Sequence, residues 1–227
     1  MGIRRSYETA TCFAGIGTLI LLLGWSYGTV YGYQGSLDAK AIEEAYSLGQ
    51  RNDSATADFI ERYVGQATAE GSDGLHRVEV QVLTPFLQVV DRARDNSRGY
   101  SLDQAKADYR ARGDSVVIRI SLVIPANYPA PSGSSTQPCD NTALLPQNFW
   151  NNFAFIVKQH DKRIEARSVK NEPVYSAPSK DTPSRLDGAN INLEFDARSI
   201  ASETITVDII TPHCKTITST FDLASLR

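Results

Sequence analysis

The chain has 227 residues with 23 basic and 26 acidic side chains, and its formal net charge is −3. Opposite charges are interspersed and form no Lys/Arg stripe, which excludes nucleic acid as an expected partner. The 10 Pro and 15 Gly residues, with a single Met, are typical of a loop-rich exported domain that contains β-structure. About 190 residues follow an apolar N-terminal run, enough for one sizeable core or two small ones.

The N-terminal run, residues 13–33, carries no charge. As a helix it would span roughly 30 Å, which is the thickness of a hydrocarbon core. Arg4 and Arg5 precede it and acidic residues follow it, so the charge bias predicts that residues 1–12 are cytoplasmic. The sequence therefore predicts a transmembrane anchor that holds residues 34–227 outside the cytoplasm.

A cleaved secretory signal is the alternative for the same run. Its apolar centre, from about Phe13 to Trp25, has the length of a signal peptide. Cleavage before Thr29 would release a secreted protein, although Tyr27 and Thr29 make a poor small-residue cleavage site. Both alternatives carry the chain into or through a membrane.

Gly24, Gly28 and Gly32 are spaced four residues apart and would share one face of a helix. A smooth glycine face allows two helices to approach closely within lipid, where no hydrophobic driving force exists. We therefore expect these glycines to be the helix-packing contact of an uncleaved anchor. Glycine is also common in membrane helices and near cleavage sites, so chance spacing stays open.

Beyond the N-terminal run, the only cysteines are Cys139 and Cys214. Two cysteines in an oxidising compartment favour a disulfide over a pair of buried thiols. Closing a loop of this length would contribute roughly 4 kcal/mol of stability in the chain-entropy model. Cys12 would face the cytoplasm or the membrane and stay unpaired.

The first half of the domain reads as mainly helical. Ser36 predicts the N-cap of a helix that ends at Gly49, and Asp53 predicts the cap of a second helix that ends at Gly65. The pair is interpreted as a helical hairpin. Alternation of apolar and polar residues next predicts a strand. Two further helices follow as an insertion, and Gln104 gives the second of them a capping box. The predicted strand covers 76–83, and the inserted helices cover 85–99 and 101–113.

The second half reads as predominantly β. Short alternating segments predict strands, and residues 125–147 and 171–189 read as long connections rich in Pro or Gly. A turn that includes Asp161 is expected to join two of the strands. The fold class is therefore α+β: a membrane helix, a helical hairpin, then a β-rich sandwich, Ig-like in the loose sense, with a helical insertion. The predicted strands of this half cover 116–122, 153–157, 163–169, 191–195, 205–209 and 217–221.

No catalytic motif, cofactor loop or metal-binding motif is found. His213 and Cys214 could supply two metal ligands with His160 or Cys139, but adjacent residues on a strand point in different directions. Exported cysteine pairs also tend to be oxidised, so no metal is expected. Acidic residues are abundant, but the linear order does not single out a carboxylate pair.

Trp150 is the one aromatic residue expected to contact a ligand or partner. Phe153 and Phe155 share a strand parity that suits a sandwich core, and core packing is also the alternative for the neighbouring aromatics. Trp150 has the opposite parity and stands at the start of that strand, beside Asn151 and Asn152.

Together these features predict a single-pass, membrane-anchored, non-enzymatic protein whose outer domain binds or scaffolds another protein of an envelope or membrane assembly. The alternative is a secreted enzyme or ligand-binding protein whose site lies in the loops at 125–147 and 171–189.

Overall fold

The computed structural model of the protein describes residues 32–67, 75, 77–124, 148–177 and 185–227. These residues contain four α-helices and nine β-strands. The helices are α1 (Ala39–Arg51), α2 (Ser54–Glu61), α3 (Pro85–Asp95) and α4 (Leu102–Arg112). The strands are β1 (Val64–Ala67), β2 (Arg77–Leu83), β3 (Ser115–Val123), β4 (Ala154–Gln159), β5 (Lys162–Ile164), β6 (Ser168–Tyr175), β7 (Leu186–Asp196), β8 (Thr204–Ile210) and β9 (Thr216–Asp222).

Most of the predicted anchor lies outside the described residues, so the anchor, the cleaved signal, and the roles of Gly24 and Gly28 stay predictions. The two C-terminal residues of that run, Gly32 and Tyr33, are described and are not helical. The Tyr33 hydroxyl donates to the carbonyl of Ala197 at 2.7 Å. A Cβ at Gly32 would come within 2.9 Å of the Ala224 carbonyl oxygen. Both residues therefore pack on the folded domain.

None of the described helices is long and apolar enough to cross a membrane.

The strands form two antiparallel sheets, which confirms a mixed α+β fold with a β-rich part. The large sheet has the order β1-β2-β3-β7-β6, and the small sheet has the order β5-β4-β8-β9. Apolar and polar residues alternate along the central strands, so each of these strands has one apolar face. Burial of that face fixes the register in which the strands pair. The buried side chains of both sheets and of the helices belong to one hydrophobic cluster. We call the faces turned away from this cluster the outer faces.

The helix starts agree with the sequence at α2, α3 and α4 but not at α1. Helix α2 is capped by Asp53 as predicted, and the Asp53 carboxylate accepts from the Thr56 N–H at 2.9 Å. The Thr84 side chain accepts from the Leu87 N–H at the start of α3, and α4 has the expected capping box. Helix α1 is capped by Asp38, whose carboxylate accepts from the Ala41 N–H at 2.7 Å, and not by Ser36. Helix α2 ends at Glu61, so the predicted end at Gly65 is wrong. Gly65 lies in β1, where an added Cβ would meet the Phe221 ring at 2.8 Å.

The predicted connection at 171–189 is also corrected, because much of it is β-structure. Residues 171–175 complete β6 and residues 186–189 begin β7, and the two strands pair with each other. The sequence conceals this hairpin because β6 is exposed along almost its whole length and lacks apolar alternation. The tight turn at Asp161, by contrast, is confirmed between β4 and β5.

Helices α1 and α3 cross in close contact at Gly49. A Cβ at Gly49 would lie 2.3 Å from the Val90 carbonyl oxygen and 2.8 Å from the Ala93 Cβ. The Val90 carbonyl is part of the backbone and cannot move aside at little cost. A side chain at position 49 would therefore force α1 and α3 apart.

We expect Gly49→Ala to lower the free energy of unfolding by about 1–3 kcal/mol, as overpacking does in cores. The expected loss is opposite in sign to the gain of about 1 kcal/mol that replacing glycine by alanine brings at an uncrowded position in a helix. Urea unfolding measures the change, and Ser47→Ala, at an exposed site on the same helix, is the matched control. Equal or greater stability of Gly49→Ala would show that the helices do not meet at this glycine.

Candidate functional site

The outer face of the large sheet carries polar rows that run across four strands. Their residues lie far apart in the sequence, and the antiparallel register brings them together. One row is Gln81, Arg119, Asn192 and Lys170. The next row is Glu79, Ser121, Asn190 and Glu172. Such a face is solvated and offers hydrogen-bonding groups to a partner.

Hydrogen bonds link neighbouring members of these rows. Arg119 donates from Nε to Asn192 Oδ1 at 3.3 Å and from Nη1 to Gln81 Oε1 at 3.4 Å. The Ser121 hydroxyl donates to Asn190 Oδ1 at 2.8 Å. The Arg119 bonds are long for N–H···O bonds, so this guanidinium keeps donor capacity for another group.

A polar groove runs from the helices onto this outer face. It consists of two adjoining hollows of about 250 and 480 Å³ that share the side chains of Arg92, Val117 and Arg119. The smaller hollow lies at the α3–α4 end and also contains Arg112. The larger one extends over β7 to Lys170 on β6. The groove therefore leads from the helical layer to the border of the sheet.

Gln88 fixes the helical end of the groove. Its amide nitrogen donates to the carbonyls of Leu83 at 2.8 Å and Ser115 at 2.7 Å, and its oxygen accepts from Arg112 at 2.7 Å. Burial lowers the pKa of the Arg112 guanidinium, and the nearby charge of Arg92 acts in the same direction. The glutamine thus orients a cation that two strands and two helices surround.

The border of the large sheet at β6 is the most open part of the described structure. Strand β6 has eight residues and pairs with β7 on one side, and no described strand pairs with its other side. Val169, Val174 and Tyr175 are 55%, 39% and 53% exposed, and they are the large hydrophobic side chains most exposed in the described part of the chain. We call β6 and its unpaired backbone groups the open edge.

The hydrogen-bond pattern shows which backbone groups lie on the open edge. Beyond the two ends of the β3–β7 ladder, the Ile124 N–H donates to the Asp187 carbonyl and the Ala197 N–H donates to the Asp114 carbonyl. Antiparallel residues alternate between their two neighbours, so odd-numbered residues of β7 bond to β3 and even-numbered ones bond to β6. Even-numbered residues of β6 therefore bond to β7. The residues that direct backbone groups to the open edge are Val169, Asn171 and Pro173.

The small sheet carries a separate hollow of about 600 Å³ on its own outer face. Four of its side chains form two pairs, and Asp161 and Asp222 also line it. Lys158 Nζ lies 2.7 Å from Asp208 Oδ2, and the Thr218 hydroxyl donates to the other oxygen of that carboxylate at 2.8 Å. His160 pairs with Glu203.

Trp150 lies in a short 3-10 turn, Phe149–Asn152, and not at an exposed position. Its side chain is 8% exposed and packs edge-on against Phe149, with the ring centroids 5.6 Å apart. The burial favours the core-packing alternative, and a role in contacting a ligand or partner stays a prediction.

Cys214 lies in a tight turn before β9, where its N–H donates to the Thr211 carbonyl at 3.0 Å. It is disulfide-bonded. Cys139 lies outside the described residues, so the pairing of these two cysteines stays a prediction. His213 beside it is exposed. In the described ranges, His, Cys, Asp and Glu side chains form no group of three or more that could hold a metal ion.

Comparison of the chain with protein families, with characterised proteins and with solved structures finds no match.

The sequence did not single out the open edge or the groove. A strand exposed on both faces has no apolar alternation, and the polar rows exist only once the register is known. One available signal was Pro173 between β-forming residues, because proline within a sheet is confined to edges and bulges.

Asp91 on α3 lines the groove and gives it a pH dependence. Burial raises the pKa of the Asp91 carboxyl above its ordinary value of 3.8, and the charge of Asp95 adds to this effect. The guanidiniums of Arg94 and Arg119 oppose the shift without cancelling it. The ionised form is therefore less stable in the folded protein than in the unfolded chain.

As the pH falls through the raised pKa towards 3.8, the folded protein binds this proton before the unfolded chain does. We expect the unfolding free energy of the wild type, minus that of Asp91→Asn, to rise as the pH falls from about 7 to about 3.5. Urea unfolding at several pH values measures the difference, and the subtraction removes the effect of carboxylates that do not interact with Asp91. A difference that stays flat or falls would contradict the burial of this carboxyl.

Proposed function

We propose that the protein is a non-enzymatic binding or scaffold subunit of an envelope or membrane assembly. The predicted anchor, residues 13–33, holds it at the membrane through the part that precedes Gly32 and Tyr33, which pack on the domain, and residues 34–227 form an extracytoplasmic domain. We further propose that the two sheets of this domain form a sandwich, Ig-like in the loose sense. The open edge of β6 is the contact with a protein partner.

The open edge is the single observation that carries this proposal. Unpaired N–H and C=O groups along a strand are a template for a strand from another chain. Main-chain hydrogen bonds supply affinity in this mode, and side chains on alternate positions supply specificity. The exposed Val169, Val174 and Tyr175 add apolar surface along the same strand.

The polar groove also supports the proposal that a partner binds at β6. It reaches β6 at Lys170, so a strand bound at the open edge would lie beside a face rich in hydrogen-bonding groups. The donor capacity of Arg119 is available there to a carboxylate or carbonyl of the partner.

The secreted enzyme or ligand-binding protein is the second candidate. Its first loop, 125–147, lies outside the described residues. In its second loop, residues 171–175 and 186–189 lie in strands, and the Asp187 carboxylate is ion-paired with Arg185 at 2.8 Å. The open edge therefore favours the binding subunit.

Photo-crosslinking in native membranes tests the contact. With a benzophenone amino acid at Val169, we expect adducts of discrete mass, because this side chain lies beside the free backbone groups. The matched control carries the same probe at Arg110, which is exposed on α4. Absence of adducts at 169, or the same adducts at both positions, would overturn the proposed site.

The N-terminal anchor has its own test. Mass spectrometry of the mature protein should find the N-terminal residues retained. The protein should also stay with membranes after an alkaline wash, because an uncharged run of this length can span the hydrocarbon core. A mature protein that begins near Thr29 or Tyr33 would contradict the anchor.

A further inference from the structure

We propose that the open edge pairs with the open edge of a second copy of this chain, antiparallel about a two-fold axis at Asn171. This inference rests on the proposed function and names its partner. It follows from the backbone parity of β6, from the charges on its outer face and from its exposed apolar side chains.

The backbone groups on the open edge fit this two-fold arrangement. Asn171 would face Asn171 of the second copy, and each would donate its N–H to the other's carbonyl. Val169 would donate to the carbonyl of Pro173 across the axis, on both sides. Pro173 has no N–H to return, so the pair would form about four main-chain hydrogen bonds. The proline limits the ladder without blocking it.

The charges of β6 favour this register over the two-fold arrangements centred on the neighbouring residues Lys170 and Glu172. With the axis at Asn171, Lys170 lies opposite Glu172 of the second copy, and Glu172 lies opposite its Lys170. These are non-hydrogen-bonded positions, where opposing side chains approach most closely. An axis at Lys170 or at Glu172 would place like charges directly opposite each other. An axis at Pro173 would place two residues without N–H groups against each other.

The side chains of β6 that point to the core side of the sheet add an apolar contact. Val169 and Pro173 pair with Leu193 and Ala189 of β7, so they share the side of the sheet that faces the core. Val169 is nevertheless 55% exposed. In the paired form it would lie against Pro173 of the second copy, where a valine and a proline ring exclude water from each other.

The pairing is expected to be weak in solution. An edge contact of eight residues is small beside a standard interface of roughly 1,600 Å². The membrane anchor compensates for this, because confinement beside other copies raises the effective concentration of each edge. Helix packing through Gly24 and Gly28 of the predicted glycine face would act in the same direction.

Charge reversal in the full-length protein in liposomes tests the pairing by energy transfer between labelled copies. Lys170→Glu and Glu172→Lys each place like charges opposite each other, so each variant alone should lose association by about tenfold or more. An equal mixture of the two variants, and the double variant alone, should each restore association. Loss without recovery in the mixture, or no loss in either variant, would overturn the two-fold pairing.

A cysteine at the axis provides an independent readout of the register. Asn171→Cys should form a disulfide between copies, because opposed residues of a hydrogen-bonded pair have Cα atoms about 5.5 Å apart. Arg110→Cys, exposed on α4, is the control for random collision. Equal rates for the two variants would refute the axis at Asn171. If adducts with a different protein still form at position 169, the binding function survives and only self-pairing fails.

Discussion

The main-chain groups of β6 that no described strand pairs with are the constraint on which the proposed contact depends. A backbone N–H or C=O group must bond to the protein, to water or to a partner, and the pairing of β7 with β3 decides which groups of β6 remain available. The N–H and C=O groups that remain available belong to every second residue of β6, and Pro173 is one of these residues. A proline there removes a donor that β7 does not need.

The other borders of the two sheets are protected in ways that β6 is not. Strand β1 lies against β9, where Gly65 admits the Phe221 ring. Strand β5 has only three residues, too few to template another chain. The C-terminal residue Arg227 accepts hydrogen bonds at its carbonyl from Tyr63 and Thr84 and places its guanidinium over Phe86. These contacts hold Arg227 against Tyr63 and the start of α3. Among the described strands, β6 is a border of eight residues with no described strand on its second side.

Sequence reasoning succeeded where one face of an element is buried. Strands β2 and β3 have the apolar alternation of half-buried strands and were predicted within a few residues. The cap of α1 was misplaced because Ser36 and Asp38 are both good caps, and only the contact of Asp38 with the Ala41 N–H separates them. Strand β6 was missed because exposure on both faces removes the pattern. The groove depends on register, which joins residues such as Gln81 and Asn192 and is a long-range property.

The weakness of an isolated edge is compatible with the membrane location that we propose. A soluble protein with a long, accessible edge risks aggregation, and charges and proline on that edge reduce the risk. In β6 the same residues, Lys170, Glu172 and Pro173, also restrict which strand can pair. An edge protected in this way forms little complex at low concentration but responds strongly when copies are confined to one membrane surface. The predicted anchor and the described edge are therefore complementary: confinement supplies the concentration, and the edge supplies the register.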